Sequence, residues 1–82
     1  MDLVVLTETI IKKIVSDEDS VSVKEFESEE ENTIQIEVLV PETDLGKVIG
    51  KNGRTINSIR TIVQASASIN GGKRVRVNVE SY

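Results

Sequence analysis

The stretch that decides the fold is GKVIGKNGRTINSIR, residues 46–60, in which Gly50 and Gly53 bracket Lys51 and Asn52 and are followed by Ile56 and Ile59. Asn-Gly between apolar runs is a hairpin signal, so a type I′ turn between two strands is one reading. The flanks oppose it, because neither LGKVI nor RTINSIRTI alternates, while the second keeps helical spacing. A phosphate loop of nucleotide hydrolases would need four residues between its first glycine and a Gly-Lys pair, and Ser or Thr after the lysine. Here three residues separate Gly46 from Gly50, and Asn52 follows Lys51.

What remains is a corner between two helices. A bare G-x-x-G corner is often no more than a tight turn that packs two helices together. This one adds chemistry to the turn. Glycine reaches positive φ and lets another backbone come close, and the helix that follows presents unpaired amides and the positive end of its dipole. Lys51 supplies a mobile cation and Asn52 a neutral donor, with Lys47, Arg54 and Arg60 close in sequence. Such a corner can hold a phosphodiester backbone.

Working outward, Pro41 stops a strand, and Thr43 or Asp44 can cap a short helix over LGKVIG. After the corner, Ile56, Ile59, Ile62, Val63 and Ala67 carry a second helix to about Ser66. Gly71 and Gly72 turn the chain into KRVRVNVE, with Val75, Val77 and Val79 on one face and Arg74, Arg76 and Asn78 on the other. Upstream, residues 33–40 alternate with Ile34, Ile36, Val38 and Val40 inward and Leu39 as the exception. VSVKEFE, residues 21–27, loses its alternation at Glu25 and Phe26 and reads as a short strand, bulged or at a sheet edge. Asp2 can cap an amphipathic helix through Leu3, Leu6, Ile10 and Ile14, about four turns long, which SDEDS ends. The order is α-β-β-α-α-β. Three half-apolar strands covered by three amphipathic helices make a two-layer α+β domain, one unit over residues 1–82.

Composition narrows the chemistry. The 82 residues include no cysteine and no histidine, which removes disulfides, thiolate or imidazole metal sites, and any Cys- or His-based catalysis. Glu42 and Asp44 lie near the corner without a nucleophile-base pair, so no catalytic residue, metal or cofactor is expected, and the chain is not read as an enzyme. No apolar run approaches the roughly 20 residues of a membrane span, and the start lacks the features of a signal peptide, so the expected location is cytoplasmic. The net charge of −4 conceals a division. Before Leu45 thirteen acids face three bases, whereas from Leu45 onward seven bases face Glu80 alone. Only Phe26 and Tyr82 are aromatic, too few for a base-stacking platform on a sheet or barrel.

VIGKNGRTINSI resembles the signature I-G-x-x-G-x-x-I-x-x-I of the K-homology (KH) domain at every position, and the element order is similar to the type II form of that fold. In size and in its GKVIGKNGRTINSIR segment the chain resembles the small single-KH RNA-binding proteins of bacteria, the KhpA (YlqC-type) family. The resemblance implies a GxxG loop at residues 50–53 that clamps the backbone of about four unpaired nucleotides beside a narrow groove for the bases. It assigns single-stranded RNA contacts to Lys47, Ile49, Gly50, Lys51, Asn52, Gly53, Arg54, Ile56 and Arg60. Ile49 and Ile56 would lie near the groove floor, Ile59 would be core, and the strand at residues 33–40 would form the opposite wall. Lys73, Arg74 and Arg76 either extend the basic surface or simply occupy an exposed sheet face. The resemblance further implies an RNA chaperone or post-transcriptional regulator, acting as a homodimer or with a larger KhpB/Jag-type protein, in cell-length and peptidoglycan homeostasis. A reading of another class makes the acid-rich half, with SDEDS and ESEEEN, a dock for a basic protein and GKNG only a turn.

Overall fold

The computed structural model describes residues 2–82. Helix α1, Leu3–Lys12, starts at Asp2, whose carboxylate accepts from the Val4 amide at 2.8 Å, and so satisfies one of the free donors at the helix start. Its ten residues fall short of the four turns that the apolar spacing predicts. Ile14 and Val15 still pack on the core, but in tighter turns closed by Ile14 N–H to Ile11 O at 3.0 Å. The helix ends early because Ser16 is drawn onto another element. Its amide and hydroxyl donate to the Asp44 carboxylate at 3.3 and 3.0 Å. On the outside of α1, Glu8 lies 3.0 Å from Lys12, and this hydrogen bond and charge hold the ammonium above its ordinary pKa.

Strands β1, Ser22–Glu27, and β2, Thr33–Val40, pair antiparallel in unbroken register from Ser22 opposite Leu39 to Glu27 opposite Ile34. No bulge is needed. Of the two readings of the lost alternation the sheet edge holds: β1 is an edge strand, and the helix layer reaches Val21 and Val23 but leaves Glu25 and Glu27 exposed. Charges on the inner side of an edge also discourage pairing with another chain. Phe26 and Leu39 point to the opposite, uncovered face.

Helix α2, Glu42–Ile49, begins directly after Pro41, with no side-chain cap. Neither Thr43 nor Asp44 caps it. Asp44 instead lies inside the first turn, only 2% exposed, where it fastens α2 to the end of α1. Helix α3, Arg54–Ile69, runs past the expected Ser66 and closes with the Gly72 amide on the Ala67 carbonyl at 3.0 Å. Strand β3, Arg74–Ser81, then returns parallel to β2, giving the sheet order β1-β2-β3. The α-β-β-α-α-β order is as the periodicity predicts.

The three helices cover one face. Ile36, Val38 and Val40 of the central strand and Val77 of β3 meet Ile11, Val48 and the α3 row of Ile56, Ile59 and Val63, all buried. Thr7 is buried among them at no cost in lost hydrogen bonds, because its hydroxyl donates to Leu3 O at 2.8 Å. At the end of the sheet the Tyr82 hydroxyl donates to Ser20 O at 2.6 Å, pinning the last residue across to the start of β1.

Candidate nucleic-acid interface

The corner between α2 and α3 is built from backbone that only glycine accommodates easily. Gly50 sits at φ 76°, ψ 175°, and a Cβ placed there would stand 2.2 Å from Thr55 Oγ1 and 2.9 Å from the Thr55 amide nitrogen. Gly53 is left-handed at φ 76°, ψ 12°, with nothing closer to its missing Cβ than Asn57 Nδ2 at 3.8 Å. Between them Asn52 is also left-handed, at φ 56°, ψ 27°, a conformation asparagine tolerates better than most residues. Residues 51–53 make a single 3-10 turn that aims Lys51 and Asn52 into solvent. No side chain caps α3 at Gly53, so its leading amides and the positive end of its dipole face the same space, with Arg54 exposed beside them.

Away from the corner, α3 and β3 bound an open groove of about 660 Å³, with Arg60, Thr61 and Gln64 on the helix side and Arg74, Arg76 and Asn78 on the strand side. The wall beside α3 is therefore β3, not the strand at residues 33–40. β2 is the central strand, hydrogen-bonded on both sides and buried under the helices, so it has no free edge to offer. The outer edge of β3 is free, and α3 reaches across to it. Gln64 accepts from the Val75 amide at 2.9 Å and donates to Lys73 O at 3.0 Å. Arg60 Nε donates to Val77 O at 3.0 Å, and its Nη1 to Asn57 Oδ1 at 3.2 Å. Two side chains thus do for part of this edge what a fourth strand would do.

The nine residues assigned from sequence divide into three groups. Gly50, Lys51, Asn52, Gly53 and Arg54 form the corner itself, with Ile49, 36% exposed, at its approach. Arg60 lies further along α3, over the groove. The other two point elsewhere. Lys47 is turned toward α1, with Nζ 2.8 Å from Ser16 Oγ and 3.6 Å from Asp44 Oδ1, and Ile56 is 6% exposed within the core beside Ile59. Thr61, Gln64 and Asn78 of the groove were not singled out from sequence. Arg60, Gln64 and Ser68 do recur at four-residue spacing on α3, a legible polar stripe. Only the placement of β3 makes that stripe a wall.

Comparison with known proteins identifies the architecture. A family model described as KhpA/KhpB, KH domain, matches residues 5–79. The chain belongs to the KhpA/KhpB KH-domain family. It is 43% identical over 74 residues to RNA-binding protein KhpA of Clostridium acetobutylicum, covering 90% of this chain and 95% of that relative. It is 44% identical over 71 residues to RNA-binding protein KhpA of Chlamydia pneumoniae, covering 87% and 85%. Among solved structures it is similar to Era in complex with MgGDPNP and nucleotides 1506–1542 of 16S ribosomal RNA, with a TM-score of 0.68 at 18% identity. That likeness covers 96% of this chain but 29% of the Era chain. A second Era structure, from Aquifex aeolicus, superposes with a TM-score of 0.70 at 17% identity over the same shares. At these identities the likeness establishes the fold, the type II KH arrangement of three helices on one face of a three-stranded mixed sheet.

In this KH domain no helix among the described residues is long and apolar enough to cross a membrane. Nor do the described residues hold a group of three or more carboxylates placed to bind a metal ion.

Proposed function

We propose that residues 1–82 act as one non-enzymatic KH domain that binds single-stranded RNA. The observation that carries this reading is the uncapped, positive-φ Gly50–Gly53 corner opening beside the α3–β3 groove. The sugar-phosphate backbone lies on the corner, where the Lys51 ammonium, the Asn52 carboxamide, the Arg54 guanidinium and the first amides of α3 converge on it. The bases enter the groove past Ile49 and Arg60. Ile56 supports the corner from inside, and Lys47, tied to Asp44, adds only to the local field. The printed name of the relatives, RNA-binding protein KhpA, supports the same reading.

A single clamp neutralises few phosphates. With about three neutralised, the log-log salt slope on single strands is about −2. Pairing raises affinity through effective concentration, and we assign the working unit to a cytoplasmic homodimer or a heterodimer with a larger KhpB/Jag-type protein. In that form it serves as an RNA chaperone or post-transcriptional regulator, with its output in cell-length and peptidoglycan homeostasis.

The test is fluorescence anisotropy with labelled single-stranded RNA at two salt concentrations, comparing the wild type with the double variant Lys51→Asp, Asn52→Asp after circular dichroism shows both folded. Binding by the wild type with a shallow salt slope, lost in the variant, is the expected result. Equal binding by both refutes the clamp. A second reading draws on Phe26, 49% exposed on the uncovered sheet face near Glu37 and Glu80. If that acid-rich half docks a basic protein, such binding survives the charge reversal at residues 51 and 52.

A further inference from the structure

The strand wall of the groove carries a contact that the clamp does not need. Arg76 Nη2 lies 2.8 Å from Glu30 Oε1 and donates to Glu30 Oε2 at 3.0 Å, so one guanidinium nitrogen meets both oxygens of a carboxylate 46 positions earlier in the chain. Arg76 lines the groove from the β3 side, with its side chain on the sheet face away from the helices and its guanidinium turned toward the β1–β2 turn. Glu30 belongs to the turn between β1 and β2, in a run with Glu29 and Glu31 that comes close to Lys73. Backbone fixes this placement. Asn32, left-handed at φ 57°, gives its carbonyl to the Arg74 amide at 3.0 Å, so the turn is fastened to the start of β3.

We infer that Glu30 is an internal competitor for RNA phosphate at Arg76, which makes the acidic turn an autoinhibitory contact on the far wall of the groove. Carboxylate and phosphate oxygens are both strong acceptors for a guanidinium, and the Glu30 carboxylate both occupies Arg76 Nη2 and offsets the charge that a phosphate would meet there. Both partners are about half exposed, at 49% and 54%. An exposed pair of this kind is weak, and an incoming phosphate can displace it. The contact therefore lowers affinity without closing the groove. It favours strands long enough to reach from the glycine corner to the β3 rim, which alone can recruit Arg76. The same acidic run repels anions that approach from that side without engaging the corner.

This inference rests on the RNA-binding reading, and the test separates the two. Anisotropy with labelled single-stranded RNA at about 50 mM salt, where surface charges count most, is measured for the wild type, Glu30→Gln, Arg76→Gln and the double variant. Circular dichroism checks that each is folded. Glu30→Gln is expected to tighten binding roughly two- to fivefold, and to do so much less when Arg76 is already glutamine. An equal gain in both backgrounds overturns the inference, since it would reflect only the loss of a distant negative charge. No gain, or weaker binding by Glu30→Gln, overturns it as well. If the wild type binds RNA through residues 51 and 52 but the cycle shows no coupling, the competitor alone falls. If none of the four proteins binds RNA, the RNA-binding reading falls and takes the inference with it.

Discussion

Gly50 and Gly53 share a φ of 76°, yet the structure predicts very different costs for replacing them with alanine. Gly50→Ala places a residue at ψ 175°, a region essentially reserved for glycine, at about 1–3 kcal/mol. The new Cβ would also stand 2.2 Å from Thr55 Oγ1, 2.7 Å from its Cβ and 2.9 Å from its backbone nitrogen. A rotamer change moves only the first of these, so the turn or α3 must shift, adding about 1–3 kcal/mol of overpacking strain. Gly53→Ala meets the left-handed penalty of about 1–2 kcal/mol and no steric contact closer than 3.8 Å. A domain of 82 residues is stable by about 4–12 kcal/mol, so Gly50→Ala removes a large share of the total and Gly53→Ala a small one. Urea unfolding followed by far-ultraviolet circular dichroism reads both. With a slope near 1 kcal/mol/M, Gly50→Ala lowers the midpoint by about 2–6 M or leaves no folded baseline, and Gly53→Ala lowers it by about 1–2 M. Equal midpoints, or a larger loss for Gly53→Ala, would refute the assignment of the close approach to Gly50.

Two further outcomes follow from the placement of particular side chains. Ile56→Ala, in the core, is expected to cost about 2–5 kcal/mol in the same unfolding assay, whereas Ile49→Ala costs under about 1 kcal/mol and shows its effect as weaker RNA binding; the reverse ranking would place Ile56 on the surface. Asp44→Ala leaves the Ser16 amide without its acceptor and Lys47 without its counter-charge, at about 1–3 kcal/mol of stability. If its unfolding midpoint matched the wild type, the tie between α1 and α2 would carry no weight.

The charge division also takes a spatial form in the fold. Five of the seven bases after Leu45 gather at the corner and along the groove: Lys51, Arg54, Arg60, Arg74 and Arg76. The acids of the first half lie largely on β1, its turn and the loop after α1. The two meet where Glu30 reaches Arg76. An acidic chain can therefore present a basic groove, because field and contact depend on where charges sit and not on their sum.

Much of this protein was legible in its sequence because the relevant signals are local. Helical and strand periodicities name the three α-helices and three strands in order, since the side-chain period follows from backbone geometry within a few residues. The corner was legible for the same reason: two glycines around Lys51 and Asn52, between helical patterns, leave few conformations open. Local signals failed where a residue's partner lies far along the chain. Asp44 reads as a helix cap but is taken by Ser16, 28 positions earlier, which also shortens α1. The break at Glu25 and Phe26 reads equally as a bulge or a sheet edge, and only the fold decides for the edge, where the helix layer stops covering β1. The groove wall is the largest case. Alternation shows that residues 33–40 and 74–81 are strands, but it is identical for a central and an edge strand. Only parallel pairing of β3 along β2 buries the one and leaves the edge of the other open to Arg60 and Gln64. Sequence determined the elements and the corner, because each is set by neighbours in the chain. Tertiary structure decided which strand faces the groove and which charges meet there, because those depend on contacts between residues that covalent proximity does not bring together.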